Sequence, residues 1–170
     1  MRLYSGKIPV IAQEIVKALT SADAIETDAP AQVVADLEAV LKEYLRVERS
    51  ISDEAKDRIE RQGGSHGSLN KVKAQLAAER NFPAPDEFLP YILQQLMEML
   101  FHSQNVEEVF AEDVELRKLL TPILRKHLEV EETLDREIRA RLKHLTEGTA
   151  AFEIEYQKLV DQMKRKTHLA

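Results

Sequence analysis

Five histidines and two glutamates in matching surroundings are the residues of this 170-residue chain best suited to chemistry. Carboxylate-bridged metal centres in helical bundles set Glu and His three residues apart on inward faces, Glu-x-x-His, on two helices. Here Glu98 and His102 are four apart, as are His127 and Glu131, while His66, His144 and His168 lie far from either pair. His-Glu-x-x-His spacing is absent. A metal-dependent enzyme is therefore the least favoured reading. His127 and Glu131, one helical turn apart, read as an ordinary pair along a helix face. Glu48 (Arg46-Val-Glu-Arg49) and Glu131 (Glu129-Val-Glu131-Glu132) occupy matching places. Paired carboxylates do acid–base work only beside an electrophile site and with shifted pKa values. Ion pairs at the edge of a core are the plainer expectation. Gly63-Gly64-Ser65-His66-Gly67 lacks the lysine of a phosphate loop, and no nucleophile triad is evident. No catalytic residue, metal ligand or cofactor is assigned, and a non-enzymatic protein is expected.

Cations form the other candidate surface. Arg136, Arg139, Arg141 and Lys143 fall along one segment, and Lys158, Lys164, Arg165 and Lys166 along the next. By spacing, Arg139 and Lys143 share a face, while Arg136 and Arg141 point elsewhere. Lys and Arg at a helix C-terminus also suit the macrodipole, which accounts for the last cluster without any ligand. Phosphate binding needs several cations on one open face.

Charge is unevenly spread along a chain whose formal total is −6. From Asp86 to Glu115 there are eight acids (Asp86, Glu87, Glu98, Glu107, Glu108, Glu112, Asp113, Glu115) and no Lys or Arg. From Leu116 onward twelve Lys and Arg face nine acids. The two regions are expected to neutralise each other within the fold or across a dimer. The overall charge argues against a general nucleic-acid binder.

The elements that must position these residues are helices. Charged residues make up 32% of the chain, with five glycines, six prolines and no tryptophan, a composition of helical bundles rather than sandwiches. Cysteine is absent, so disulfides and thiolate sites are excluded. No run of eighteen apolar residues exists and the start lacks the pattern of a secretory signal, so a cytoplasmic protein with no membrane span is expected.

An internal repeat organises the pattern. A shift of 81 lays Ile8–Glu26 over Leu89–Glu107, matching Pro9 with Pro90, Ile11 with Ile92, Gln13 with Gln94 and Leu19 with Leu100. A shift of 83 lays Leu37–Glu60 over Leu120–Lys143, matching Leu37 with Leu120, Leu41 with Leu124, Leu45 with Leu128 and Glu48 with Glu131. Ser5 and Asp86, each four residues before the shared proline, are expected as N-caps. The expected architecture is all-α, two tandem copies of a short helix–long helix–short helix unit forming a bundle. Unit one spans 1–80, a Pro-rich linker 81–87, and unit two 88–170.

Ile8, Ile11, Ile15 and Leu19 give the first apolar face. A long second helix is expected from an Asp28 N-cap to Gln62, ended by Gly63 and Gly64, with a short third helix around Leu69, Val72 and Leu76. Charged Glu54 and Arg58 interrupt its near-heptad rows, so helices packed within a bundle, or exchanged between chains, fit better than a free coiled coil. The second unit repeats the plan, with Pro122 expected to kink or split its long helix. Glu147-Gly148-Thr149 forms the next break, with Gly148 as left-handed cap and Thr149 as N-cap of a final helix.

That last stretch, Glu147-Gly-Thr-Ala-Ala-Phe152-Glu-Ile-Glu-Tyr156 through Lys166, with Leu128-Glu-Val-Glu131, Leu134-Asp-Arg-Glu137 and the opening Met1-Arg-Leu-Tyr-Ser-Gly-Lys-Ile8, resembles a bacterial family known only as a domain of unknown function. The resemblance covers nearly the whole chain and implies a helical, cytoplasmic, bacterial protein. It carries over no activity, cofactor or catalytic residue. The Glu147-Gly148-Thr149 loop and the helix after it are the first place to look for a site. A helical protein-interaction or structural protein, potentially a homodimer, is the expected function; an RNA- or ribosome-associated factor using the basic C-terminal helices is the alternative.

Overall fold

Each apolar stripe becomes a helix in the computed structural model, which describes residues 2–64 and 66–167; the side chains at 66, 129–132, 164 and 167 lie outside that description. Six α-helices follow one another: α1 (Ile8–Ser21), α2 (Pro30–Gln62), α3 (Leu69–Glu79), α4 (Phe88–His102), α5 (Asp113–Arg141) and α6 (Ala150–Thr167). The only strands among the described residues are two-residue pieces, β1 (Ile25–Glu26) and β2 (Glu108–Val109). The fold is an all-helical bundle.

Residues spaced by three and four line up along a helix, so Ile8, Ile11, Ile15 and Leu19 of α1 present one face, and all four are fully buried. On α4, Phe88, Ile92, Leu96 and Leu100 do the same. The first halves of the long helices supply Val33, Leu37 and Leu41 from α2 and Leu116, Leu120, Leu124 and Leu128 from α5. All of these belong to one hydrophobic cluster. The packing crosses between the halves: α1 lies on both α2 and α5, and so does α4. Neither half thus encloses the central core by itself.

The short strands tie the halves together at one end. Ile25 pairs with Val109 and Glu26 with Glu108, antiparallel. Asp36 of α2 accepts hydrogen bonds from Ser103 Oγ (2.6 Å) and Asn105 Nδ2 (2.9 Å), reinforcing the joint.

Beyond the core, the long helices extend as arms. The distal part of α2 packs on α3 through Ile51, Ala55, Ile59, Leu69 and Leu76. The distal part of α5 packs on α6 through Leu134, Ile138, Leu142, Phe152, Tyr156 and Val160, with Tyr4 added from the N-terminal segment. Gly63, at φ +62°, closes α2, and the next amide, Gly64 N, bonds back to Ile59 O at 3.1 Å. α5 runs through Pro122 without dividing, the ring lying on its exposed side and the Lys118 carbonyl losing its N–H donor.

Three expected N-caps are not realised. Ser5 and Asp86 lie inside 3-10 turns (Ser5–Lys7 and Pro85–Glu87) that precede α1 and α4. At α2 the N-cap position is Ala29, not Asp28. The Thr27 hydroxyl accepts from Ala29 N (3.0 Å) and donates to Asn105 O (2.5 Å), so a threonine turn tied to the other half organises this start.

Candidate functional site: the α5 face and the arm seam

His127, at 5% exposure, is the one buried polar residue among the described residues. Its Nε2 lies 3.1 Å from Glu14 Oε2 of α1, and Lys126 Nζ donates to Glu14 Oε1 at 3.0 Å. The expected partner, Glu131, lies outside the described side chains, and the observed one comes from the other half of the chain. Burial pushes the Glu14 carboxyl up, but the hydrogen bonds from Lys126 and His127 outweigh it and hold the group below its ordinary value. Three positions 81 or 83 residues away, Gln95, Glu43 and Tyr44, line a groove of about 280 Å3 beside Phe82 and Tyr91. Tyr44 stacks on Phe82 there, with ring centroids 4.9 Å apart. Among the described residues no three His, Asp or Glu side chains converge as metal ligands would.

A polar seam runs between the two arms. The Arg2 guanidinium lies 5.0 Å from the Tyr156 ring centroid and 5.6 Å from that of Tyr4. Across from it stands Glu48 of α2, whose carboxyl burial pushes above its ordinary value while Arg2 and Lys73 pull it back. Lys73 of α3 reaches Glu153 of α6 at 3.9 Å. Glu48 is therefore an inter-arm charge partner, and its expected counterpart Glu131 lies outside the described side chains. Sequence reasoning passed over Arg2, because nothing periodic links it to a residue 46 positions away.

The Glu147-Gly148-Thr149 loop is a helix joint. Gly148 sits at φ +86° and is buried. Thr149 Oγ1 accepts from Phe152 N (3.3 Å) and donates to Thr146 O (2.6 Å), capping α6 as expected. Glu147 pairs with Arg139, which also bonds Asp135 (2.8 Å) and lies over the Phe152 and Tyr156 rings. Tyr156 donates to Asp135 as well. Gly148→Ala should destabilise the α5–α6 arm by about 1–2 kcal/mol, since a side chain at positive φ is strained. Thr149→Ala should cost about 1 kcal/mol. Urea titration of both variants checks these values; no change in either would contradict a structural role for the loop.

Among the candidate cations, Arg139 is thus taken up by the arm, and Lys158 pairs with Glu155 at 3.1 Å. Arg136, Arg141, Lys143, Arg165 and Lys166 are without a carboxylate partner among the described residues, and the Lys164 side chain is outside them. A longer row of cations also runs along this helix. Lys118, Arg125 and Arg136 of α5, with Lys143 just past its end, follow at seven, eleven and seven residues, close to whole turns of a 3.6-residue helix. All four are exposed, and Lys118 and Arg125 likewise lack a carboxylate partner. The proximal part of this face is a shallow groove of about 580 Å3 lined by Val114, Arg117, Lys118, Thr121, Pro122 and Arg125.

The geometry defines a class: an all-helical bundle with two arms and an open, cation-striped helix face. A family model described as "Protein of unknown function (DUF507)" matches residues 1–169, and the chain belongs to that family. No curated protein matches it. No helix among the described residues is long and apolar enough to cross a membrane.

Proposed function

We propose that this chain is a non-enzymatic helical interaction protein whose docking surface is the outward face of α5. One observation carries the reading: Lys118, Arg125, Arg136 and Lys143 stand along one exposed stripe with no carboxylate of the described residues paired to them. Elsewhere the long helices do pair their exposed charges at three- or four-residue spacing, as in Lys42–Glu38, Arg46–Glu43, Arg58–Glu54 and Arg117–Asp113. Such local pairs contribute a few tenths of a kcal/mol each and arise easily. A stripe without such pairs among the described residues, beside exposed Val114 and Pro122, has the mixed apolar and Arg-rich character of docking surfaces. A cytoplasmic, bacterial setting accords with this reading.

The alternative, an RNA- or ribosome-associated factor, draws on the same cations with Arg141, Arg165 and Lys166. Affinity capture from the native host separates the two, comparing the wild type with a variant carrying Lys118→Glu, Arg125→Glu, Arg136→Glu and Lys143→Glu. Proteins held by the wild type, lost with the variant and insensitive to ribonuclease are the expected result. Identical captured sets from both chains would contradict the proposal, and capture abolished by ribonuclease would favour the alternative.

A further inference from the structure

We infer that the end of the bundle where the two short strands pair is a second docking surface, separate from the cationic stripe of α5, and that its partner is a basic segment bearing aliphatic or aromatic side chains.

An exposed apolar patch marks the place. Phe101 is 52% exposed in the last turn of α4, Phe110 is 56% exposed just after β2, and Val114 is 59% exposed at the start of α5. The two helices are joined where Arg117 donates to Gln94 Oε1 at 2.8 Å. Phe101 stands seven residues beyond Gln94 and Phe110 seven before Arg117, so both rings belong to the strand end of this helix pair.

Carboxylates frame the patch. Glu26 faces Glu108 directly across the strand pair, a like-charge register that costs stability. Beside them, a hydrogen bond from Asp28 and the charges of Asp28 and Glu26 hold the Glu107 carboxyl above its ordinary value. Glu112 extends the rim to the start of α5. None of these five acids pairs with a cation among the described residues. Arg117, the first Arg or Lys after Glu115, is already held by Asp113 and Gln94, each at 2.8 Å. Lys118, the next, begins the stripe along α5.

The fold gains nothing from either feature, since rings left in water bury no surface and crowded carboxylates repel. An exposed apolar patch with a polar rim is the mark of an interaction site. One kind of partner relieves both costs: cations for the rim and apolar side chains for the rings. Nucleic acid and anionic lipid are repelled by the rim. A second copy about a two-fold axis through the patch would set the same carboxylates against each other.

A synthetic peptide tests this on the full chain. The chain has no tryptophan, so a single tryptophan in an amphipathic peptide of lysine and leucine reports binding, and its emission should shift to shorter wavelength as the indole is buried. Affinity should fall roughly tenfold or more with Phe101→Ser and Phe110→Ser together, and likewise with Glu107→Gln, Glu108→Gln and Glu112→Gln together. A lysine-only peptide of equal charge carrying the same tryptophan should bind roughly tenfold more weakly. Neutralising three acids of α2 instead (Asp53→Asn, Asp57→Asn and Glu60→Gln) should leave affinity close to wild type, and the cation reversal on α5 should not weaken it. Unchanged circular dichroism shows that each variant remains folded. No emission shift at about 100 μM peptide overturns the inference. So does an equal loss in the α2 control, or a lysine-only peptide that binds as well, because net charge alone then explains the attraction. A wild-type dimer in light scattering that the two phenylalanine substitutions dissociate overturns the basic partner in favour of a second copy. Weaker peptide binding after the α5 reversal overturns the separation of the two surfaces.

Discussion

Leu37→Ala should lower the stability of the entire molecule by about 3–4 kcal/mol, and the loss should appear in one unfolding transition. Leu37 is fully buried in the first half of α2, and its cluster contains α1, α4 and α5. Removing three methyl or methylene-type carbons leaves a cavity lined from both halves of the chain, which rigid helices cannot collapse to fill. Stability of a domain this size is only about 5–15 kcal/mol, so the midpoint in urea should fall markedly. Circular dichroism at the helical band reports it. Two transitions, with residues 88–170 keeping wild-type stability, would contradict a shared core.

Arg2→Ala should weaken the closure of the two arms by about 2 kcal/mol, less than for a fully enclosed ion pair because water still reaches the seam. The substitution removes a cation from the Tyr4 and Tyr156 rings and from Glu48 together. Its pH signature is diagnostic. Burial raises the Glu48 carboxyl in the folded protein, so the folded state holds a proton that the unfolded state has already lost over part of the acid range. Stability from this group is therefore present at low pH and declines as pH rises through the folded value. Without Arg2 the carboxyl rises further, and the decline at pH values above the ordinary carboxylate range should deepen. Glu48→Gln should flatten it. Urea midpoints across that range measure all three chains; parallel slopes would remove Glu48 from the seam.

The repeating stripes were plain because burial imposes helical periodicity on sequence: Ile8 to Leu19 and Leu116 to Leu128 are adjacent turns of single helices. Gly63, Gly148 and Thr149 were legible for the same local reason, since left-handed geometry and N-caps restrict residue type strongly. What stayed hidden depends on contacts between distant segments. Glu14 meets His127, the charge of Arg2 acts on Glu48, and Thr27 reaches Asn105 across 78 positions, none with a spacing that marks it. Asp28 looked like a cap because its type suits one; the tie from Thr27 to the other half placed α2's start elsewhere. The partners of Arg139 were hidden in the same way: it lies over Phe152 and Tyr156 and pairs with Glu147, while Arg136, Arg141 and Lys143 are exposed like it.

The central structural claim is that the two halves interlock through one core while α3 and α6 lie on arms outside it. Native-state hydrogen exchange under increasing urea tests it most directly. Amides of α1, α4 and the core-facing parts of α2 and α5 should all exchange through the same global opening, with α3 and α6 exchanging earlier through smaller ones. Exchange that instead divides at the Asn81–Pro85 stretch, giving 1–80 and 88–170 two separate opening free energies, would contradict it.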